Sequence, residues 1–329
     1  MLIKFDSDLF HQEDNIKNIS FLIAIFSDNY RYDFIAELSE IKNSNLFNQL
    51  SSIDQKLLEE YFNRYITQPK KEIDFRISLK NESDKDLNFE ESKIFFNQQY
   101  LLILENNLND GYFVDAIINC FRSKAKKISR HKNKDWFIYY NGGGCTNIEN
   151  TIEANKKRYQ HLPKDNHKYL RCFVLIDSDK KYPTQANSTE RQKLFDYLDE
   201  NEIKYHQLYK REVENYLPIQ ILERIEQNEA FIEVYKRLND DVKDFIDLEN
   251  GLPDKNRDTL TLELSNLYNH ILDDDYNFLR KNSLKINNFK TELPKLFIRA
   301  NRELLKDRIK HQMDSNEFEN LLEKITNEL

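Results

Sequence analysis

The chain has 329 residues, a formal net charge of −8, 39% hydrophobic residues and 32% charged residues. That acidic average excludes a protein that coats nucleic acid through overall positive charge, but it leaves room for an enzyme with a local basic groove. The length exceeds one typical domain of roughly 100–200 residues, so two or three structural units are expected.

Five glycines and six prolines are few for this length, and the many Leu, Ile, Lys, Glu and Asn residues point to much helix. The three cysteines, Cys120, Cys145 and Cys172, have no metal-finger spacing. Cys120 and Cys172 lie in apolar contexts and read as small core residues, so a reducing compartment is expected. No window approaches about 18 uninterrupted apolar residues, and Met1-Leu2-Ile3-Lys4-Phe5-Asp6 has no basic start followed by a long apolar run. The expectation is a cytoplasmic protein with no membrane partner.

Residues 1–95 alternate apolar runs with Asn- and Ser-rich breaks and form a mixed N-terminal region. Phe21–Phe26 fits a strand or a buried helix equally. The stretch Ser52–Phe62 reads as a helix, with Ser52 as cap and Gln55 three residues on. Lys80–Asp86 is polar and charged and reads as a linker or exposed loop.

Residues 96–218 read as α/β. A strand at 100–105 precedes a helix from about Gly111 to Lys127, and Trp136–Tyr140 forms a second strand ending in Asn141-Gly142-Gly143-Gly144. A helix follows from Asn147 to Tyr159, then a strand at 171–177, a helix from Thr189 to Asn201 and a strand from Glu202 to Leu208. This alternation implies a mostly parallel sheet flanked by helices. Ligands gather outside the carboxyl ends of such strands. Residues 219–329 carry apolar positions at helical spacing and form a helical C-terminal region.

Two apolar runs end in acid. Tyr100–Leu104 leads into Glu105, with Asp110 close behind, and Cys172–Ile176 leads into Asp177-Ser178-Asp179. Carboxylates crowded at strand ends repel one another, and a hard cation such as magnesium or manganese relieves that repulsion. A lone strand-end Glu is usually just solvated. Asp110 fits a helix cap as well as a metal ligand.

The triple glycine suits a tight strand-to-helix turn or a phosphate-facing loop. It is not a Walker A loop, since no Gly-Lys-Ser/Thr follows. Lys210-Arg211-Glu212-Val213-Glu214 reads either as a helix start with surface charges or as a cation on a developing phosphate charge beside further metal ligands. Asp273-Asp274-Asp275 reads as a solvated turn, and the seven scattered histidines give no zinc spacing.

The ordered set resembles a Toprim domain, the catalytic fold of topoisomerases, bacterial primases and the OLD-family (overcoming lysogenization defect) nucleases. The carriers are the apolar strand ending in Glu105, the later strand ending in Asp177-x-Asp179, and Lys210-Arg211-Glu212-Val213-Glu214-Asn215-Tyr216-Leu217, similar to a segment of OLD-type defence proteins. The match covers about 120 residues. It departs from the family pattern where Asn106 replaces the Gly after the Glu and where Asp110 lies five positions on, with Asn109 at four.

The resemblance implies a nuclease using two magnesium or manganese ions. Glu105, Asp177 and Asp179 would be catalytic metal ligands, with Glu105 alternatively an acid/base. Asp110, Glu212 and Glu214 would serve a second ion, and Lys210 would stabilise the transition state. It further implies an anti-phage effector acting on DNA or RNA with a separate ABC-type ATPase, and a homodimer. The alternatives are a non-nucleolytic Toprim enzyme of topoisomerase or primase type, and an inactive Toprim module that binds a partner or nucleic acid.

Overall fold

The computed structural model describes residues 1–68, 72–80 and 82–329. It is α/β, and the chain folds into two compact units, each with its own four-stranded parallel sheet. The first unit comprises Met1–Tyr100, Asn155–Arg171 and Asn327–Leu329; the second comprises Leu101–Ala154 and Cys172–Thr326. The chain is thus grouped otherwise than 1–95, 96–218 and 219–329.

In the first unit the strand order is β2-β1-β3-β4, with β1 at Leu2–Phe5, β2 at Asp33–Ala36, β3 at Phe75–Ile77 and β4 at Asp86–Leu87. The ambiguous run at 21–26 lies in the helix Ile16–Ser27, which buries Ile19, Leu22, Ile23 and Phe26. Those positions recur at three and four residues, the spacing of one helix face. The next helix, Ser52–Thr67, is capped by Ser51 rather than Ser52: the Ser51 hydroxyl accepts the Asp54 N–H.

Asp86 closes the 82–86 turn by accepting the Glu82 and Ser83 N–H groups, and Glu82–Lys85 are exposed, so the described part of this stretch is an exposed loop between β3 and β4 of one sheet and not a linker. Asn81, within the expected loop, lies outside the described residues. Phe26, Tyr32 and Phe96 pack edge-to-face with centroids 5.0–5.7 Å apart. The return of 155–171 to this unit is fixed by polar anchors. The Tyr169 hydroxyl donates to buried Glu91, and the Arg171 guanidinium donates to the Tyr32 hydroxyl.

The second unit has the strand order β6-β5-β7-β8, with β5 at Tyr100–Leu104, β6 at Phe137–Asn141, β7 at Cys172–Ile176 and β8 at Lys204–Gln207. β5 and β7 are buried along their whole length, which explains their unbroken apolar sequence. The helix after β5 starts at Asn107 and ends at Cys120, and a separate helix runs Lys126–Asn133, where one helix from Gly111 to Lys127 was expected.

The C-terminal helices belong to this unit because the sheet's covering helix needs their aromatics. The Phe113 ring meets Tyr216 and Phe297 at 5.2 Å and Phe318 at 5.9 Å. Asp273–Asp275 opens the helix Asp273–Leu279 and is not a free turn; Asp275 is buried and ion-paired with Arg237 at 2.5 Å. Among the described residues, no helix is long and apolar enough to cross a membrane.

Beneath the loop after β8 lies a buried charge network. The Lys210 ammonium bonds to Asp244, which also pairs with Arg308 at 2.6 Å and with His311 at 2.7 Å. Tyr216 donates to Glu317 at 2.7 Å, and Glu317 also accepts the Tyr209 N–H at 2.9 Å. Burial alone would raise the Asp244 carboxyl, but His311, Arg308 and Lys210 outweigh it and hold it below the usual carboxylate range. Its contribution to stability is therefore present above the unfolded carboxylate pKa and lost as pH falls through the lower folded value. We expect Asp244→Ala, which strands two buried cations, to cost about 3–5 kcal/mol. Denaturant unfolding at neutral pH measures this, and a cost below about 1 kcal/mol would show that the network is solvated.

Candidate functional site

The parallel register places Leu104 of β5 beside Leu175 of β7, so Glu105 and Asp177 leave neighbouring strands one residue apart in height. Adjacent strands lie about 4.8 Å apart, which forces these two carboxylates into one neighbourhood. After Glu105 the chain turns at once into a helix. The Asn106 side chain caps it by accepting the Leu108 and Asn109 N–H groups, and Asp110 reaches back to accept the Asn106 N–H at 2.8 Å. Asp110 thus closes the helix start while its carboxylate joins the cluster.

After Asp177 the chain is tied to the 210–213 segment. The Ser178 hydroxyl donates to the Lys210 carbonyl at 2.8 Å, and the Asp179 N–H donates to the Arg211 carbonyl at 2.8 Å. The Val213 N–H in turn donates to Asp177 Oδ1 at 3.0 Å. Asp179 adopts φ 52°, the left-handed region that a non-glycine residue enters at a cost and that concentrates at functional sites. These bonds deliver Glu212 and Glu214 to the same edge.

The triple glycine serves close approach and turning. A Cβ at Gly142 would lie 2.9 Å from the Leu104 carbonyl oxygen and 2.7 Å from Ile148, and Gly144, at φ +84°, donates its N–H to the Glu105 carbonyl. The loop clamps the end of β5.

Two cations neutralise part of the cluster. The Arg191 side chain, only 3% exposed, bonds to the Asp177 carbonyl and the Asp179 carboxylate and lies 3.5 Å from Glu105. Lys290 lies 3.0 Å from Glu212 and 3.4 Å from Glu214. Burial works against the Lys290 charge, yet Glu214, Glu212 and Asp177 together raise its pKa.

The acids still outnumber the cations. Burial pushes Asp110 up to about 7, with Glu214 and Glu105 adding to the rise. Burial also drives Asp177 well above the usual range, reinforced by Asp110, Glu105, Glu214 and Glu212, which makes Asp177 the electrostatic centre. Glu105 and Glu214 are raised chiefly by burial too.

Six of the seven expected residues, Glu105, Asp110, Asp177, Asp179, Glu212 and Glu214, are brought to one edge. Lys210 is the exception. It points into the buried Asp244 network, where burial brings its ammonium down to about 7. Its backbone, not its charge, serves the site.

Sequence reasoning missed Arg191 and Lys290. Both sit in the first turn of a helix, Thr189–Glu200 and Phe289–Lys295, where the helix dipole disfavours positive charge. That misplaced charge is a sequence signal, shared with Lys126 and Arg302 at the starts of their own helices.

Among the described residues, no three His, Cys, Asp or Glu side chains are placed to hold a metal ion as they stand. Arg191 and Lys290 occupy carboxylate oxygens that such an ion would use. The donor set nevertheless fits a hard cation. It is all oxygen, and Glu214, 4% exposed, keeps its Oε2 buried with no hydrogen-bond partner. We expect Asp177→Asn to stabilise the metal-free protein by about 0.5–2 kcal/mol, the range that favourable single substitutions commonly reach, because it removes a buried carboxylate that four other acids repel. Unfolding in chelator measures it, and a loss of stability would mean that the carboxylates are fully compensated.

No protein-family profile matches the chain, and no curated protein or solved structure matches it significantly.

Proposed function

We propose that this protein is a metal-dependent nuclease of Toprim type that hydrolyses phosphodiester bonds in DNA or RNA. The observation that carries the reading is the convergence of six carboxylates on one sheet edge, with the buried, unpartnered Glu214 Oε2 among them. A protein gains nothing structurally from like charges held together, and the crowding supports a site built for divalent cations.

Glu105, Asp177 and Asp179 would hold one magnesium or manganese ion, and Asp110, Glu212 and Glu214 a second. When bound, such ions activate a water and offset the charge that develops on the phosphate. The protein's own groups do the rest. The Val213 N–H fixes one Asp177 oxygen. The bonds from Ser178 and Asp179 to the 210–211 backbone hold the two acidic segments in register.

Arg191, not Lys210, is the cation positioned to stabilise charge on the phosphate, because it already reaches both strand ends. The acid/base role for Glu105 stays within this reading, since burial favours its protonated form. The wider proposal is an anti-phage effector that works with a separate ABC-type ATPase.

The test is cleavage of plasmid DNA and total bacterial RNA by the purified chain with magnesium or manganese, alone and co-expressed with a candidate ATPase. We expect Asp177→Ala and Glu105→Ala each to lower the rate by at least about a hundredfold while circular dichroism is unchanged. A folded Asp177→Ala protein that cuts at the wild-type rate refutes the assignment.

A further inference from the structure

We propose that the basic segment Arg122–Lys134 of the second unit holds the phosphate backbone of the nucleic acid substrate, an inference that deepens and rests on the nuclease reading. Arg122, Lys124, Lys126, Lys127, Arg130, Lys132 and Lys134 fall in this stretch with no Asp or Glu between them, in a chain whose net charge is −8. A solvated helix face normally mixes signs, because interspersed acids relieve repulsion between neighbouring lysines. Here no acid stands within the stretch, and relief comes from outside it, where Asp115 of the helix Asn107–Cys120 pairs with Lys132.

The helix Lys126–Asn133 buries Ile128 and His131, while Arg122, Lys124, Lys126 and Lys134 are exposed. The segment is fixed to the catalytic half of the unit. Lys132 pairs with Asp115 in the helix Asn107–Cys120, and the Tyr139 hydroxyl on β6 donates to the same carboxylate. The Tyr139 ring in turn packs on Gly111, directly after Asp110. A second element adds charge beside it: Arg302 and Lys306 lie 5.5 and 5.9 Å from the Phe121 ring, each also near Glu319.

The helix Asn107–Cys120 runs from the carboxylates toward this segment and is about 21 Å long, a span of roughly six base pairs. A duplex or extended strand of that length or more is long enough to span the separation. A membrane surface fits less well. Interfacial helices set bulky apolar side chains beside their lysines, and among the described residues no exposed large apolar side chain falls between 122 and 134.

The experiment is an anisotropy titration of the full chain in chelator with labelled duplex DNA, single-stranded DNA and RNA across a salt series. The variant combines Arg122→Gln, Lys124→Gln, Lys126→Gln and Lys134→Gln. We expect affinity to fall at least about tenfold, and the slope of log K against log salt to shrink by about 0.7–0.9 for each phosphate contact removed. If the combined variant misfolds by circular dichroism, Lys124→Gln and Lys126→Gln tested singly carry the same slope measurement.

Unchanged affinity and slope overturn the inference, as does a wild-type chain that binds none of the three probes. It is also overturned if the substitutions abolish binding to anionic vesicles or an acidic peptide and leave nucleic-acid binding intact. Binding lost in the variant when the wild type never cleaves would sink the nuclease reading alone. Cleavage by the wild type with normal binding by the variant would sink this inference alone.

Discussion

The mutual repulsion of carboxylates at the ends of β5 and β7 is the constraint around which the second unit is arranged. Parallel pairing brings Glu105 and Asp177 together without any choice by the side chains. The further acids arrive by backbone bonds: Ser178 and Asp179 pull in the 210–211 carbonyls, and with them Glu212 and Glu214. Each step adds negative charge to a place where burial already penalises it. Two cations hold the cluster in check, and both stand where a helix dipole opposes them. A positive charge in a first turn gives up about 0.3–1 kcal/mol. Several buried carboxylates offset that easily, so the acids decide where Arg191 and Lys290 stand.

The Lys210–Asp244–Arg308–His311 network makes sense in the same terms. The 210–214 segment must hold its acids against repulsion, and a surface loop would swing away. Anchoring Lys210 in a fully buried ion pair, with Arg211 N–H donating to the Asp244 carbonyl, fixes the backbone from below. Buried pairs of this kind rarely add net stability over an apolar core. What this one contributes is an anchor: the Lys210 side chain and the Arg211 N–H both bond to Asp244 and tie the segment to it at two points. The division of labour is spatial: side-chain charge below the loop, backbone donors and carboxylates above it.

Much of this was legible in the sequence. The runs at 100–104 and 172–176 are wholly apolar because both faces of a central parallel strand are covered, and the acids that follow them must lie at the carboxyl edge. The Phe21–Phe26 run was ambiguous because six apolar residues in a row erase periodicity. Only the wider spacing of Ile19, Leu22, Ile23 and Phe26 shows the buried face. Lys210 misled because a lysine beside acids reads as exposed, and nothing local announces that Asp244, 34 residues on, will bury it. Lys290 was hidden for a like reason, since Glu212 and Glu214 lie 78 and 76 residues before it, whereas Arg191 lies only 12 residues after Asp179 and was within reach of a local reading. The C-terminal helices look self-contained by pattern, yet Phe297 and Phe318 are needed to enclose Phe113.

The same unit therefore carries two opposed charge surfaces, an acidic edge and the basic Arg122–Lys134 segment. With a net charge of −8, the chain repels a polyanion at long range. Screening at physiological salt confines that repulsion to about 8 Å, so local charge decides at contact. The acidic edge alone would turn a phosphate backbone away, and the exposed cations Arg122, Lys124, Lys126 and Lys134, about two nanometres along the fold, offset it for a ligand long enough to touch both. A mononucleotide reaches only the acidic end. On the proposed nuclease reading, this arrangement would favour extended substrates over short ones, through electrostatics that act before cleavage.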